Sequence, residues 1–518
     1  MPHAVTLDRR DTSFTNSFLE EYYFSDKLDD FKSYSSIADI EKAIYNKANF
    51  SNDKRAILVK VLKDQYAEFD LSQDSNLSVA QNIELLHKEN TFTVTTGQQI
   101  HIGLGPMYVL YKAFDAIAIA QELREKYTGK NFVPVFWMAT EDHDLEEIAQ
   151  VSVFGKMLEW ETDQKGAVGR MKPEGISDLF QRILDDFNFG EEEISFVNRC
   201  KEIYADSANL SIAFRRLLHS YLGHTGLIIL DADNADLKES FKPVLRDEIG
   251  HVNHQALEDC TADLESAGHS RQLHIRENNL FTLTNGDRLK VDSAAIKDID
   301  SYVNDNYADL SPNAALRPLY QEWVLPNIVY VGGGAEVKYW SQLKGLFDNY
   351  KLPMPYIHLR SSKVILPKKI HKNYGDKGIV QLFGSADQLR AIYAKELAEE
   401  QAYLSNLYTK TLHTLLDYTG SVESAFKGFS LNAKVDKIRP KLQELEELVS
   451  EQIQRKSEQN PELNKVLKIQ AKYFHKDQVQ ERTDHLLAHS HLLVWSMLNI
   501  QLYFGLKKYQ EVEVVFTK

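Results

Sequence analysis

The chain has 518 residues, 43% of them hydrophobic and 26% charged, with a formal net charge of −15 at pH 7. That balance is ordinary for a globular protein, and its acidity opposes a role in coating nucleic acid. No apolar run approaches the roughly 20 residues that span a bilayer, so no membrane partner is expected.

The N-terminus, M-P-H-A-V-T-L-D-R-R-D, lacks the apolar core of a secretory signal. Two cysteines, Cys200 and Cys260, offer no disulfide framework, and a cytoplasmic location follows as an expectation. Residues 1–90 read as a mostly helical layer, with apolar stripes through Phe18, Tyr22, Phe24, Leu28 and Phe31 and again from Ala56 to Tyr66. Thr93 to Thr96 have the β-branched character of a buried strand, and Gly97 marks its end. Gly103, Gly105 and Pro106 open a helix running to Tyr127, with Pro106 expected as its first residue. Val133 to Ala139 is a continuous apolar run, as a strand covered on both faces requires. This βαβ unit places the turn at 97–106 beside the turn at 140–144, at the carboxyl ends of parallel strands, where ligands bind in open α/β sheets.

From Glu161 to Glu193 periodicity weakens, and an insertion or lid is expected there. Ser211 to Tyr221 is helical, and G-L-I-I-L-D-A-D (226–233) is a second buried strand ending in acids. Asn285–Gly286 between two β-like runs predicts a hairpin in an inserted subdomain. Ile328 to Val331 should be a strand, Gly332 to Gly334 a turn, and Glu336 onward a helix. Leu389, Leu397, Leu404 and Leu412 mark a long helix from Ala386 to Tyr418, about 50 Å at 1.5 Å per residue. A break at Gly420–Ser421 turns the chain, and Leu431, Val435, Ile438, Leu442, Leu445 and Leu448 form a heptad-like seam with Pro440 as a kink. The expected organisation is a Rossmann-like α/β core over 1–385 with insertions near 161–205 and 261–315. A helical coiled coil follows over 386–500, and 501–518 returns to the core.

Four sequence blocks carry a family resemblance: T-G-Q-Q (96–99), G-P-M-Y-V-L-Y-K (105–112), P-V-F-W-M-A-T-E-D-H-D-L-E-E-I (134–148) and V-G-G-G-A-E-V-K-Y-W-S-Q-L (331–343). With them the chain resembles the bacillithiol biosynthesis cysteine-adding enzymes, the BshC family. The resemblance implies a Rossmann-like, nucleotidyl-transferase-like core with inserted connecting regions and a coiled coil that makes a homodimer. It also implies addition of cysteine to glucosaminyl-malate, the last step of bacillithiol synthesis. Related nucleotidyl-transferase cores carry the phosphate-binding signature H-x-G-H; here H-I-G-L (101–104) ends in leucine, and S-S-K (361–363) is the nearest match to a second, lysine-serine signature.

Joining a carboxylate to an amine in water needs an activated carboxyl, so ATP or another nucleotide is the expected cofactor, with no metal predicted. Gln98, Gln99, Gly103, Gly105 and Pro106 are candidates to hold it, because a glycine turn feeding a helix N-terminus suits phosphate. Gly332, Gly333, Gly334 and Glu336 form a second such turn; the glycines serve equally well as a plain strand–helix turn. Glu141, Asp142 and His143 cluster just past a buried strand and are candidate catalytic groups, one to hold the cysteine ammonium or take a proton from the attacking amine. Asp144, Glu146 and Glu147 read as the acidic first turn of a helix. Tyr108, Lys112, Thr140, Asp144, Arg276, Tyr339 and Trp340 are candidate substrate contacts, and Arg317, Lys338 and Arg360 are further cations for carboxylates or phosphates. His251, His254 and Cys260, like His485 and His489, have ligand chemistry but lack the organisation of a zinc site. Two other functions fit the same residues: nucleotidyl transfer to another small molecule, and a dimeric coiled-coil scaffold with a degenerate nucleotide-binding core.

Overall fold

Successive side chains of a strand point to opposite faces, and the run N-F-V-P-V-F-W-M uses both. Val133, Val135 and Trp137 pack to one side with Leu58, Leu62, Phe241 and Leu319, while Phe136 and Met138 pack to the other with Leu110, Phe114 and Ile117. The computed structural model describes residues 4–11, 16–73, 76–284, 286–383, 386–426, 428, 430–458, 461–473, 480–489, 504 and 511–517.

The core is a five-stranded parallel sheet. Its strands are β1 (Thr91–Gln98), β2 (Asn131–Met138), β3 (Ile228–Asp231), β4 (Asn327–Gly332) and β5 (Tyr356–Leu359), in spatial order 3-2-1-4-5. That is the doubly wound order of Rossmann-like folds. From β1 the chain passes to helix Met107–Lys126 on one face; from β4 it passes to helix Gly334–Ser341 on the other, where Val337 and Trp340 join the core. Because neighbouring strands send the chain opposite ways, a crevice opens at their carboxyl ends. Pro106 is the cap of its helix and Met107 the first helical residue, one position later than expected.

The acid-rich stretch after β2 folds into more helix than its weak periodicity indicated. Ile176–Asp186 and Glu191–Ala205 pack through Leu179, Phe180, Phe196 and Val197 into the same core as helix Met107–Lys126. Strands Leu280–Thr284 and Asp287–Lys290 pair antiparallel, with Leu310–Pro312 added alongside; Asn285 of the expected turn lies outside the described residues. A three-stranded sheet joins Ala4–Asp8, Glu511–Thr517 and Ser362–Pro367, so the two ends of the chain meet in one sheet.

Helix Ala386–Ala425 runs 40 residues, straight past Gly420–Ser421, where a break was expected. One glycine in a long helix costs only about 1 kcal/mol, and the helix ends instead at Ala425, with the next starting at Asn432. Helix Asn432–Glu458, with Pro440 inside it, packs back along the first. Among the described residues no helix is long and apolar enough to cross a membrane.

Candidate functional site

The crevice beside β1, β2 and β4 is a cleft of about 700 Å³, within the range of small-molecule sites. Gln98, Gln99, Tyr108, Thr140, Glu141, Asp142, Arg276, Gly333, Glu336 and Tyr339 line it, so these candidates come together.

The turn after β2 is built by hydrogen bonds from elsewhere. Thr140 Oγ1 donates to Asp231 Oδ1 (2.5 Å), and the N–H groups of Gly169 and Val168 donate to the carbonyls of Thr140 (2.8 Å) and Asp142 (2.7 Å). A Cβ on Gly169 would sit 2.4 Å from Thr140 Cβ, so the close approach requires glycine. The carboxylates of this turn are then paired off. Lys238 Nζ, itself buried, lies 2.7 Å from both Glu141 Oε1 and Asp233 Oδ1. Burial pushes the Glu141 carboxyl upward despite Lys238. Asp142 accepts from Gln99 Nε2 (2.6 Å), the His143 N–H (2.8 Å) and Arg288 Nη1 (3.0 Å). Burial opposes its ionisation, yet Arg288 and these donors hold the Asp142 carboxyl below its ordinary range.

A second buried pair ties the two sides of the crevice. Lys112 Nζ donates to the Gly97 carbonyl (2.6 Å), Gln98 Oε1 (2.9 Å) and Glu336 Oε2 (2.5 Å). Glu336 also accepts from the Gly333 N–H (2.8 Å) and the Tyr330 hydroxyl (2.6 Å). Burial raises the Glu336 carboxyl, but Lys112 and these donors together bring it below its usual value. Lys112 is wholly buried beneath the cleft and serves this joint rather than lining the cavity.

Glu147, expected as part of an acidic helix start, lines the cleft as well. Its neighbours are Gln98 Nε2 at 3.4 Å and His101 Nε2 at 3.6 Å. Burial brings His101 down to about 4, so near neutral pH it offers Glu147 no charge. Burial, then the charges of Asp144 and Asp142, push Glu147 up to about 7.

Several candidates stand elsewhere. His143 lies on the rim, its Nδ1 3.2 Å from Asp142 Oδ1 and 3.1 Å from Arg288 Nη1. Asp144 caps helix Leu145–Ile148 by accepting from the Glu147 N–H (3.1 Å). Trp340 is fully buried against Tyr330 and Phe347. Gly332 and Gly334 shape the turn without lining the cleft; a Cβ at either would meet Glu336 Cβ or Leu19 Cδ1 at 3.1 Å. Lys338 points away, donating to Ser270 (3.0 Å). Gly103, Gly105 and Pro106, the first expected phosphate turn, are covered by a later segment. Pro106 bridges His485, the Met107 N–H donates to the Asp484 carbonyl (3.0 Å), and the Gly103 N–H is taken by the Tyr204 hydroxyl (3.1 Å). A buried helix end whose N–H groups already have partners leaves little for phosphate to bind. At the second turn Glu336 takes the Gly333 N–H and sets a carboxylate where a phosphate would sit.

Anion-binding capacity therefore rests on arginine. Arg288 is paired to Asp142 and lies 4.2 Å over the Phe281 ring, and Arg360 is paired to Glu481 (2.5 Å). Arg276, Arg317 and Arg482 also line the cleft, and among the described residues none has a carboxylate partner. Arg317 donates to Gln321 Oε1 (3.0 Å) and the Tyr339 hydroxyl (3.3 Å), which fixes its fork at the cavity wall. Three unmatched guanidinium groups against one unmatched carboxylate, Glu147, fit a ligand with anionic groups and one basic or protonated nitrogen. Among these cations, Arg276 and Arg317 are the groups that would hold the phosphates of a nucleotide. Arg288 and Arg482 escaped sequence reading because each is far in sequence from the motif it serves.

His251 and His254 face the backbone carbonyls of Glu277 (2.8 Å) and Arg276 (3.2 Å), and the Cys260 thiol faces that of Ser341 (3.3 Å). His489 pairs with Asp484 at 2.9 Å. These contacts account for each as a structural group.

A Rossmann-like sheet with a polar cleft at its switch point defines a class of α/β proteins that act on small molecules. Residues 5–361 match the family model described as "Bacillithiol biosynthesis BshC, N-terminal Rossmann-like domain". The chain is 34% identical to the Flavobacterium psychrophilum protein named "Putative cysteine ligase BshC" over 494 residues, covering 89% of this chain and 88% of the relative. Proteins of the same name from Flavobacterium johnsoniae and Cytophaga hutchinsonii are 33% and 31% identical, each with 87% of both chains covered. The chain belongs to the BshC family.

Proposed function

We propose that this protein is a cysteine ligase that joins cysteine to glucosaminyl-malate, forming the amide of bacillithiol, and that it works in the cytoplasm. The supporting observation is the charge arrangement of the cleft: among the described residues, arginines without carboxylate partners share it with Glu147, whose carboxyl burial and two nearby acids push up to about 7. Bound nucleotide would supply the energy that turns the cysteine carboxyl into an acyl donor. The amino-sugar nitrogen then attacks the acyl carbon, a C–N bond forms, the activating oxygen leaves with its electron pair, and the nitrogen loses one proton.

Asp142 stays ionised in its pair with Arg288 and suits a positioning role, holding Gln99 and Arg288 at the cleft wall. Glu147, shifted to about 7, suits acceptance of the proton. Arg276 and Arg317 suit the malate carboxylates or the phosphates, Arg being the side chain with the matching fork. Assembly as a homodimer through the helical pair, read as a coiled coil, is part of the same proposal. Its support is the exposed apolar surface of these helices, with Tyr403 70%, Leu445 58% and Leu448 53% exposed.

The test supplies purified protein with cysteine, glucosaminyl-malate and ATP, with mass spectrometry for the thiol product and for AMP or ADP. Product should appear, and Asp142→Asn should reduce turnover by about 100-fold or more without a matching fall in thermal midpoint. Nucleotide transfer to another acceptor would favour nucleotidyl transfer. A folded dimer with no product under any energy donor would favour a scaffold.

A further inference from the structure

One residue of the cleft lining, Arg482, comes from a segment that follows the helical hairpin, Q-E-R-T-D-H (480–485), well beyond the Rossmann-like region at 5–361. Its anchors are buried and specific. Gln480 clamps Ile365, accepting its N–H at Oε1 (2.7 Å) and donating from Nε2 to its carbonyl (3.1 Å). The Glu481 carboxylate, only 3% exposed, accepts from Arg360 Nη1 (2.5 Å), the Lys363 N–H (3.0 Å) and the Ser362 hydroxyl (3.2 Å). Further on, the Asp484 carbonyl takes the Met107 N–H (3.0 Å) and the His485 N–H donates to the Ser152 carbonyl (3.0 Å). Arg482 stands between these fixed points and lines the cleft, with no partner among the described residues. Its charge and that of Arg360, whose guanidinium carbon lies 5.4 Å from the Tyr108 ring centre, both act on the Tyr108 hydroxyl.

An arginine carries large rotamer entropy, and a surface arginine normally stays in water. Arg482 is exposed, but buried bonds on both sides fix the backbone that carries it, and among the described residues no carboxylate pairs with it. We propose that segment 480–489 supplies Arg482 as an anion-binding residue of the cleft. The site for a carboxylate or phosphate group is then completed by chain that lies beyond the helical hairpin. This rests on the reading of the cleft as the substrate site, and it deepens that reading by naming a group that the Rossmann-like domain alone lacks. Between the hairpin and this segment, helix Pro461–Tyr473 packs through Leu463 and Val466 against Val364 and Leu366 of the body.

The experiment uses the full chain and calorimetric titration with two probes, L-malate for a carboxylate source and inorganic pyrophosphate for a phosphate source. At least one probe should bind wild type, with affinity falling roughly tenfold in Arg482→Ala and less in Arg482→Lys. The thermal midpoint of both variants should stay within about 2 °C of wild type, since among the described residues the side chain makes no hydrogen bond or ion pair. The probe that loses affinity identifies the source of the anion. Unchanged affinity in Arg482→Ala, or no binding of either probe to wild type, overturns the proposal. Arg482-dependent binding in a protein that forms no amide under any energy donor would retain the subsite and remove the ligase reading.

Discussion

Glu147 belongs to the stretch D-L-E-E (144–147), whose acids sequence alone assigns to a helix start, and Asp144 does cap that helix. Glu147 differs because its side chain falls between Gln98 and His101 at the cleft, where burial and two nearby acids disfavour its charge. A carboxyl raised from its ordinary value to about 7 holds a proton in the folded protein that the unfolded chain has already released. Folded protein therefore binds more protons between about pH 4.5 and 7, and its stability falls as pH rises through that window. Glu147→Gln removes the charge at every pH. The variant should match wild type in thermal midpoint near pH 5 and exceed it at pH 8, by calorimetry at both values. Lys112, Glu336, Asp142 and Asp144 also face this group, and all four persist in the variant. Equal midpoints at pH 8 would show that Glu147 is not strained by its charge. If Glu147 accepts the amine proton, the same substitution lowers kcat with little change in KM for cysteine.

The element that departs furthest from expectation is the turn into helix Met107–Lys126. Its glycines, with the Gln98–Gln99 amides beside them, read as a phosphate cradle, whereas the packing around them is that of a tight turn. Gly105 has φ +56°, and a Cβ there would lie 2.3 Å from His101 Cβ. Gly105→Ala should then cost about 2 kcal/mol or more in urea unfolding, by strain and overlap together. Affinity for pyrophosphate, measured where the variant is still folded, should be unchanged. A stable variant that loses pyrophosphate would return this turn to the binding site. The strands were easier to read. β2 is an uninterrupted apolar run stopped by T-E-D, and burial on both faces leaves little alternative to a central strand. Arg288 was not legible, because its place beside Asp142 depends on strand Asp287–Lys290 folding back across more than a hundred residues.

Across the whole molecule, the long helices carry apolar side chains that the body does not cover. Tyr403, Leu407, Leu445 and Leu448 are exposed, and a surface of this kind is costly in water unless another chain covers it. Replacing Tyr403 and Leu448 together by glutamate should convert a dimer to a monomer in light scattering. The body should keep its thermal transition, since neither side chain is buried in it. An unchanged dimer would place assembly on another face. The sequence determined the sheet, the helical hairpin and the acidic turn after β2, because apolar period and polar interruption are local properties of the chain. Only the tertiary structure decided which charges stay unmatched. Lys238 pairs with Glu141, Arg288 with Asp142 and Lys112 with Glu336, which among the described residues leaves Glu147, Arg276, Arg317 and Arg482 lining the cleft without an oppositely charged partner. Those pairings join residues far apart in the chain, and a charge becomes available to a ligand only once folding has settled which other charges lie within reach of it.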